Sequence, residues 1–243
     1  MKKTLALLGF LLATIYGDAQ ESTDTQPNIT LKWAPTGLLL GSASLQAEYN
    51  FGGKNSLTAK IGLPAKAHHS FTYDGNDADF TMRATSFLAG YRTYFSKRHL
   101  HGLYYEPFFK YVHHTSEGTG TGTLNGRKAV FDFINDYNGV GVGVQLGAQF
   151  FIGKHVVIDL FFLGLEINSA TNSFKTMEIS NTVRWMEVDA QEAVRNIREF
   201  LDQFPFIRNR SSVMVDKDNK RVLADFKGAL PGIRTGVSIG IAF

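Results

Sequence analysis

The last thirteen residues of the chain, Pro231–Phe243, read PGIRTGVSIGIAF and alternate between two kinds of side chain. Apolar, β-branched or threonine side chains occupy every second position from Ile233 to Ile241, and glycine, serine and one arginine lie between them. A period of two is typical of a β-strand whose two faces meet different surroundings. One face of this strand suits an apolar environment, and the other suits a narrow space.

Seven other segments alternate in the same way. The eight predicted strands cover residues 28–38, 42–51, 55–63, 79–95, 103–115, 138–152, 155–166 and 232–243. Their connections are short after the second, fourth and sixth strands and long after the third, fifth and seventh. The long connections are residues 64–78, 116–137 and 167–231.

Tight turns at one rim and long loops at the other are typical of up-and-down barrels in bacterial outer membranes, which need an even number of strands. A soluble sandwich has no reason to sort its loops in this way. Glycine also recurs on the second face of segments 138–152 and 232–243, which suits the narrow bore of an eight-stranded barrel. The sequence therefore predicts an all-β fold, an eight-stranded antiparallel up-and-down transmembrane β-barrel over residues 28–243.

The first nineteen residues have the pattern of a secretory signal peptide. Two lysines precede an apolar run from Leu5 to Tyr16, and small residues at Gly17 and Ala19 fit cleavage after Ala19. The run is too short for a membrane helix, which needs about 20 residues. Residues 20–27 form a polar lead-in. Export followed by barrel formation predicts the cell outer membrane of a Gram-negative bacterium.

Composition excludes several classes of function. The 243 residues include no cysteine, which excludes disulfides, thiol catalysis and thiolate metal sites. The net charge is only +3, and no run of lysine and arginine marks a nucleic-acid surface. The sequence therefore predicts no nucleic-acid partner, no cofactor and no metal.

Charged side chains fall on the inward face of the predicted strands and form a predicted luminal charge network. Its members are Lys32, Glu48, Lys60, Arg92, Glu106, Lys110, Asp159 and Arg234. Counting back from the turns places Lys32 opposite Glu48, Glu48 opposite Lys60, Arg92 opposite Glu106 and Gln145 opposite Asp159. An ion path or proton relay is one interpretation. The favoured one is a plug, because opposite charges in a narrow bore neutralise one another.

Residues 167–231 are predicted to be a long extracellular insertion that contains an amphipathic helix near residues 189–204. Apolar residues recur there at helical spacing, Asp189 and Glu192 suggest a capping box, and Pro205 ends the pattern. A hairpin is predicted around residues 216–220. The apolar stripe of the helix must cover the barrel mouth or its loops, or else a protein partner of the insertion.

Two histidine pairs and one short motif are candidates for chemistry. His68-His69 and His113-His114 could bind a transition metal, but rim histidines are the favoured interpretation. His114, Ser116 and the adjacent Glu117 resemble the His-x-Ser of outer-membrane lipid A deacylases over three residues only. A catalytic role for them is the less favoured alternative.

The C-terminus resembles the recognition signal of outer-membrane proteins. Phe243 follows alternating apolar residues that include Ile239 and Ile241. This resemblance implies that the outer-membrane barrel assembly machinery binds the last strand.

Residues 28–166 and 231–243 resemble the small outer-membrane barrels of the OmpA-like and OmpX-like superfamily. The stretches LAGYRTYF, GLYYEPFFKY and LPGIRTGVSIGIAF are similar to an uncharacterised family of such barrels, for which no catalytic residues are assigned. The resemblance implies a non-enzymatic barrel in contact with outer-membrane lipid and lipopolysaccharide. Its loops would serve envelope structure, adhesion or partner binding. A lipid-modifying enzyme and a small-solute pore remain the alternatives.

Overall fold

The computed structural model describes residues 27–73, 75–181 and 183–243. The predicted signal peptide and residues 20–26 of the lead-in lie outside the described residues.

The described residues contain ten strands in one sheet, and eight of them close into a ring. The strands are β1 (Ile29–Ala34), β2 (Ser42–Asn50), β3 (Asn55–Pro64), β4 (Ala67–Tyr73), β5 (Asn76–Tyr94), β6 (Gly102–Leu124), β7 (Arg127–Ile152), β8 (Val156–Glu178), β9 (Ser211–Asp216) and β10 (Arg221–Ala242). The ring runs β1-β2-β3-β5-β6-β7-β8-β10, and β10 returns to pair with β1. β4 pairs with β5 and β9 with β10, both outside the ring. The predicted eight-stranded antiparallel barrel is confirmed.

The closing seam joins the two ends of the barrel sequence. Ile239 of β10 lies opposite Trp33 of β1, with antiparallel register. The Phe243 N–H donates to the Ile29 carbonyl at 2.9 Å, and the Asn28 N–H donates to the Phe243 carbonyl at 2.9 Å. The backbone of the last residue is therefore part of the seam that closes the ring, which leaves no open edge there.

The outer surface of the ring is a belt of apolar side chains. Ile241 is 47% exposed whereas the adjacent Ala242 is 1% exposed, and the same alternation appears around the ring. Leu31, Leu45, Leu57, Phe87, Phe109 and Val142 belong to this exposed set. A contiguous apolar surface of this kind is unstable in water and suits a hydrocarbon environment. None of the helices among the described residues is long and apolar enough to cross a membrane.

Four strands extend far beyond the belt. β6, β7, β8 and β10 contain 23, 26, 23 and 22 residues, whereas a transmembrane strand needs about 9–11. The predicted long loop at residues 116–137 is therefore wrong. β6 and β7 pair without a break from Gly102 opposite Gln149 to Leu124 opposite Arg127. The turn between them is Asn125-Gly126, and both residues have positive φ, as a tight hairpin requires.

The other two predicted long loops also contain strands. β4 and β5 form a hairpin that runs from Ala67 opposite Met82 to Tyr73 opposite Asn76, so most of the predicted loop 64–78 is strand. β8 and β10 stay paired as far as Met177 opposite Arg221, so the segment between them is 179–220 and not 167–231. The many polar residues of these segments suggested loops, but their backbones pair as strands. We call the strand segments that lie within the three predicted long loops, residues 64–78, 116–137 and 167–231, the extramembrane sheet.

Residues 179–181 and 183–220 form a cap on the tip of the extramembrane sheet. The cap contains helix α1 (Glu187–Asp202), a short helix α2 (Pro205–Arg208) and β9. The hairpin between β9 and β10 lies at the predicted position.

Helix α1 begins and ends two residues earlier than predicted. Its first turn is closed by Asp189, whose Oδ2 accepts from the Met186 N–H at 2.9 Å. The predicted box between Asp189 and Glu192 is wrong, because Glu192 Oε2 accepts from the Asn125 N–H at 3.1 Å. The apolar stripe of α1 packs on the sheet in a cluster of Leu124, Ala129, Trp185, Ala190, Ala193 and Val222.

Candidate functional site: the closed lumen

Arg92 of β5 is fully buried inside the barrel and holds a cluster of buried charges together. Its Nε and Nη2 lie 2.9 and 2.8 Å from Glu106 Oε2. Its Nη1 lies 3.1 Å from Glu48 Oε2 and 2.9 Å from Asp159 Oδ2. The guanidinium also stacks over the ring of Tyr104, 3.7 Å from the centroid. One arginine thus contacts three carboxylates from three different strands.

Lys32 is the second cation of this cluster. Its Nζ lies 2.7 Å from both Glu48 Oε2 and Asp159 Oδ2, and it donates to Gln149 Oε1 at 2.6 Å. Lys32 therefore has three oxygen acceptors, as many as an ammonium group can use.

Neutral donors satisfy the remaining carboxylate oxygens. Tyr94 and Ser56 donate to Glu48 Oε1 at 2.7 and 2.6 Å. Tyr104 donates to Asp159 Oδ1 at 2.7 Å. Glu106 accepts from Thr58 and, at 2.8 Å, from Gln145 Nε2. Buried charges are stable only when both their charge and their hydrogen bonds are satisfied in this way.

The cluster of Lys32, Glu48, Arg92, Glu106 and Asp159 closes the bore, and we call it the luminal plug. Each of its side chains is at most 1% exposed. Below it, Tyr94, Leu100, Tyr104 and Phe151 pack together as an apolar floor. Three carboxylates face two cations, so the plug carries one negative charge in excess.

The structure places Arg92 beside Glu106, as counting from the turn predicts, but three other predicted pairings are wrong. Lys32 lies opposite Gln46, Glu48 opposite Thr58, and Gln149 opposite Asp159. If the centre of a turn shifts by one residue, each residue pairs with a cross-strand partner two positions away. The side chain then still points inward, but its neighbour on the next strand is different. Lys32 still reaches Glu48 because its long side chain spans to the diagonal position.

The other predicted members of the network lie nearer the mouth and do not join the plug. Lys110 pairs with Glu166, a contact that the sequence pattern did not predict. Lys60 and Arg234 lie over the ring of Phe161, at 5.3 and 5.1 Å from its centroid. Neither has a carboxylate within ion-pair distance among the described residues. A cavity of about 410 Å³ lies at this level and contacts all three cations.

The candidate catalytic residues do not converge. His114 and Ser116 lie two residues apart on β6, so they share its inward face, and Ser116 is buried. Glu117 is on the opposite face, where Arg83 Nη2 lies 3.6 Å from its Oε1. Ser116 is in a strand and does not begin a loop as predicted.

The two histidine pairs do not form a shared site either, because one histidine of each pair lies beside a different aspartate. His68 Nε2 lies 3.4 Å from Asp79, and His113 Nε2 lies 3.2 Å from Asp136. Within residues 27–73, 75–181 and 183–243, no group of three or more histidine, aspartate or glutamate side chains is placed to hold a metal ion.

Comparison with known proteins identifies no family for the chain. No protein-family model matches it, and no curated protein matches it. One solved structure that matches is the crystal structure of CarO from Acinetobacter baumannii, with a TM-score of 0.43 and 8% sequence identity. The match covers 92% of this chain and 100% of that one. The fold and the site are therefore defined by the contacts within this chain.

A second charge cluster, centred on the buried Glu178 at the base of the cap, was not predicted. Glu178 accepts a two-pronged ion pair from Arg127, with Nη2 2.9 Å from Oε2, and further hydrogen bonds from Ser180, Asn181 and Trp185. These donors, led by Arg127, lower the pKa of Glu178 from 4.5 to about 2. Glu178 and Arg127 are 51 residues apart, and no local spacing in the sequence relates them.

Proposed function

We propose that this protein is a non-enzymatic outer-membrane β-barrel with a closed lumen, and that its extramembrane sheet and cap form its working surface. The observation that carries the proposal is the luminal plug. Arg92 and Lys32 bind three carboxylates across the bore, and the side chains are buried. A pore would need mobile, hydrated charges at this level, whereas these are fixed by hydrogen bonds from Tyr94 and Tyr104.

The apolar belt supports the membrane location. Outward side chains of the ring strands are apolar, while charged side chains of the same strands point inward. Outer-membrane lipid would cover the belt, and lipopolysaccharide would surround the base of the extramembrane sheet. Phe243, Ile241 and Ile239 are all exposed on one face of the last strand, which leaves them accessible to the barrel assembly machinery.

The extramembrane sheet supports a role in envelope structure, adhesion or partner binding. Continuous strand pairing makes this surface rigid, unlike a set of mobile loops. At the far side of the cap, Phe200, Phe204 and Phe206 are exposed. Exposed aromatic side chains of this kind are typical of protein-binding surfaces, and they support a protein partner for the cap.

Cell fractionation tests the location. We expect the mature chain in the outer-membrane fraction, with a gel mobility that changes on heating. Recovery of folded protein from the periplasmic fluid without detergent would contradict the proposal.

A cap-replacement variant tests the working surface. The Glu178 N–H donates to the Lys220 carbonyl at 3.0 Å, so these two residues are placed to be joined by a two-residue turn. Replacing residues 179–219 with Asn-Gly should leave the barrel assembled and abolish attachment of whole cells to their partner or surface. Phe200→Ser with Phe206→Ser is the milder companion variant. Unchanged attachment in both would exclude the cap as the working surface.

A further inference from the structure

We propose that the upper lumen binds a small organic anion, a carboxylate or a phosphate, between Lys60 and Arg234. This site is separate from the luminal plug and does not depend on the extramembrane sheet.

The two cations converge on one place. Lys60 comes from β3 and Arg234 from β10, and both lie about 5 Å from the ring of Phe161. Arg234 also lies over Phe108, 4.8 Å from its centroid. The aromatic faces fix the positions of the cations without neutralising them.

Glycines make room for this arrangement. A Cβ atom at Gly164 would collide with Arg234, and one at Gly236 would collide with Phe161. The backbone is therefore open where the guanidinium and the ring approach the wall, so the cavity depends on these two glycines.

The charge of the upper lumen is not balanced. Lys110 is paired with Glu166, but Lys60 and Arg234 have no carboxylate within ion-pair distance among the described residues. The luminal plug below carries a single excess negative charge. At longer range, this charge can offset only one of the two positive charges of Lys60 and Arg234. Two like charges in a confined bore repel each other. An anion placed between them would remove this repulsion.

The rest of the cavity suits an organic body. Its volume of about 410 Å³ is in the range of small-molecule sites. Met82, Ala84, Leu88 and Val112 line it together with the cations, while Ser42, Ser44 and Ser86 add hydroxyl groups. Apolar walls around a cationic end suit a compact carboxylate or phosphate better than a free halide.

Calorimetric titration of the mature protein in lipid nanodiscs tests the proposal. The probes are benzoate, its neutral isostere benzamide, and inorganic phosphate. We expect benzoate to bind at least 10-fold more tightly than benzamide. Lys60→Met and Arg234→Met should each weaken benzoate binding by at least 10-fold. Lys54→Met and Arg98→Met, which remove exposed cations at the opposite rim, are the matched controls and should leave binding unchanged.

The outcomes distinguish the parts of the proposal. Phosphate binding comparable to that of benzoate would show that the anionic group alone suffices, and weaker phosphate binding would show that the organic body contributes. Equal binding of benzoate and benzamide would overturn the proposal, as would unchanged affinity in both luminal variants or no binding of either anion. Benzoate and benzamide are compared on the unmodified chain. This comparison therefore tests the proposal even if a variant fails to fold.

Discussion

Arg92 and Glu106 face each other across the hairpin of β5 and β6, with Nη2 of the arginine 2.8 Å from Oε2 of the glutamate and both residues fully buried. The pair does not stand alone, because the same guanidinium also contacts Glu48 and Asp159. The lumen therefore behaves as one network, in which removing one member changes the balance of all the others.

Removing Glu106 should destabilise the barrel. Glu106→Ala leaves two guanidinium nitrogens of Arg92 without their carboxylate, which should cost about 3 kcal/mol in the free energy of unfolding. Arg92→Met should cost more, because three carboxylates then lose their guanidinium and Lys32 contacts only two of them. Combining Arg92→Met with Glu106→Leu should recover part of the loss. Urea titration read by heat-modified gel mobility would give the coupling energy, and strictly additive effects would contradict a shared network.

The cap should loosen in acid. Folding lowers the pKa of Glu178 from 4.5 to about 2, so the folded cap binds fewer protons than the unfolded one between these values. The stabilisation is fully present above pH 4.5 and is lost as the pH falls towards 2. Because the chain has two tryptophans, Trp33→Phe leaves Trp185 as the sole reporter. Its emission should shift to longer wavelength over this range.

Two variants check the origin of that transition. In Glu178→Gln, Trp185 should be exposed already at pH 7, with no further transition on acidification. Glu187→Gln is the control, since Glu187 belongs to an exposed ion pair with Lys217 and should keep the transition. An identical acid response in Glu178→Gln would show that another group controls the cap.

Phe243 should contribute to assembly in two separable ways. Deleting it removes the backbone hydrogen bonds to Asn28 and Ile29, whereas Phe243→Ala keeps those bonds and removes only the exposed ring. If the ring is an assembly signal, both variants should reduce the amount of folded barrel in the outer membrane. Ala242→Ser should have a much smaller effect. Immunoblots of unheated samples would measure this, and normal accumulation of Phe243→Ala would rule out a side-chain signal.

The Asn125-Gly126 turn should limit the stability of the hairpin tip. Gly126 has φ of 75°, and a Cβ added there would meet nothing within 4 Å. Gly126→Ala should therefore cost about 1 kcal/mol from backbone conformation alone. Proteolysis of the tip in intact cells should become several-fold faster. Gly153→Ala, which has φ of 65° in a turn at the opposite rim, controls for general effects and should leave the tip protected.

Side-chain periodicity predicted which way the strands face, but not which residues meet. Arg92, Glu106 and Asp159 point inward because the period of two fixes the face. Lys32 has a different cross-strand neighbour than predicted because a six-residue 3₁₀ helix, Pro35–Leu40, lies between β1 and β2. Turn geometry, which the period does not contain, sets the register.

The extent of the strands was underestimated for a related reason. Segment 116–124 reads SEGTGTGTL, and its glycines and hydroxyl groups are typical of loops. Threonine nevertheless favours strands, and Asn-Gly at the next two positions is a strong hairpin signal. The cluster around Glu178 depends on contacts across 51 residues, so only the folded sheet brings it together.

Single-channel recording of the mature chain in planar bilayers tests the closed lumen most directly. With the luminal plug in place, we expect no conductance steps from unmodified protein whose folding has been verified by heat-modified mobility. Arg98→Met, which removes an exposed arginine outside the plug, should be equally silent. Regular, reproducible conductance steps from the unmodified barrel would contradict a closed lumen.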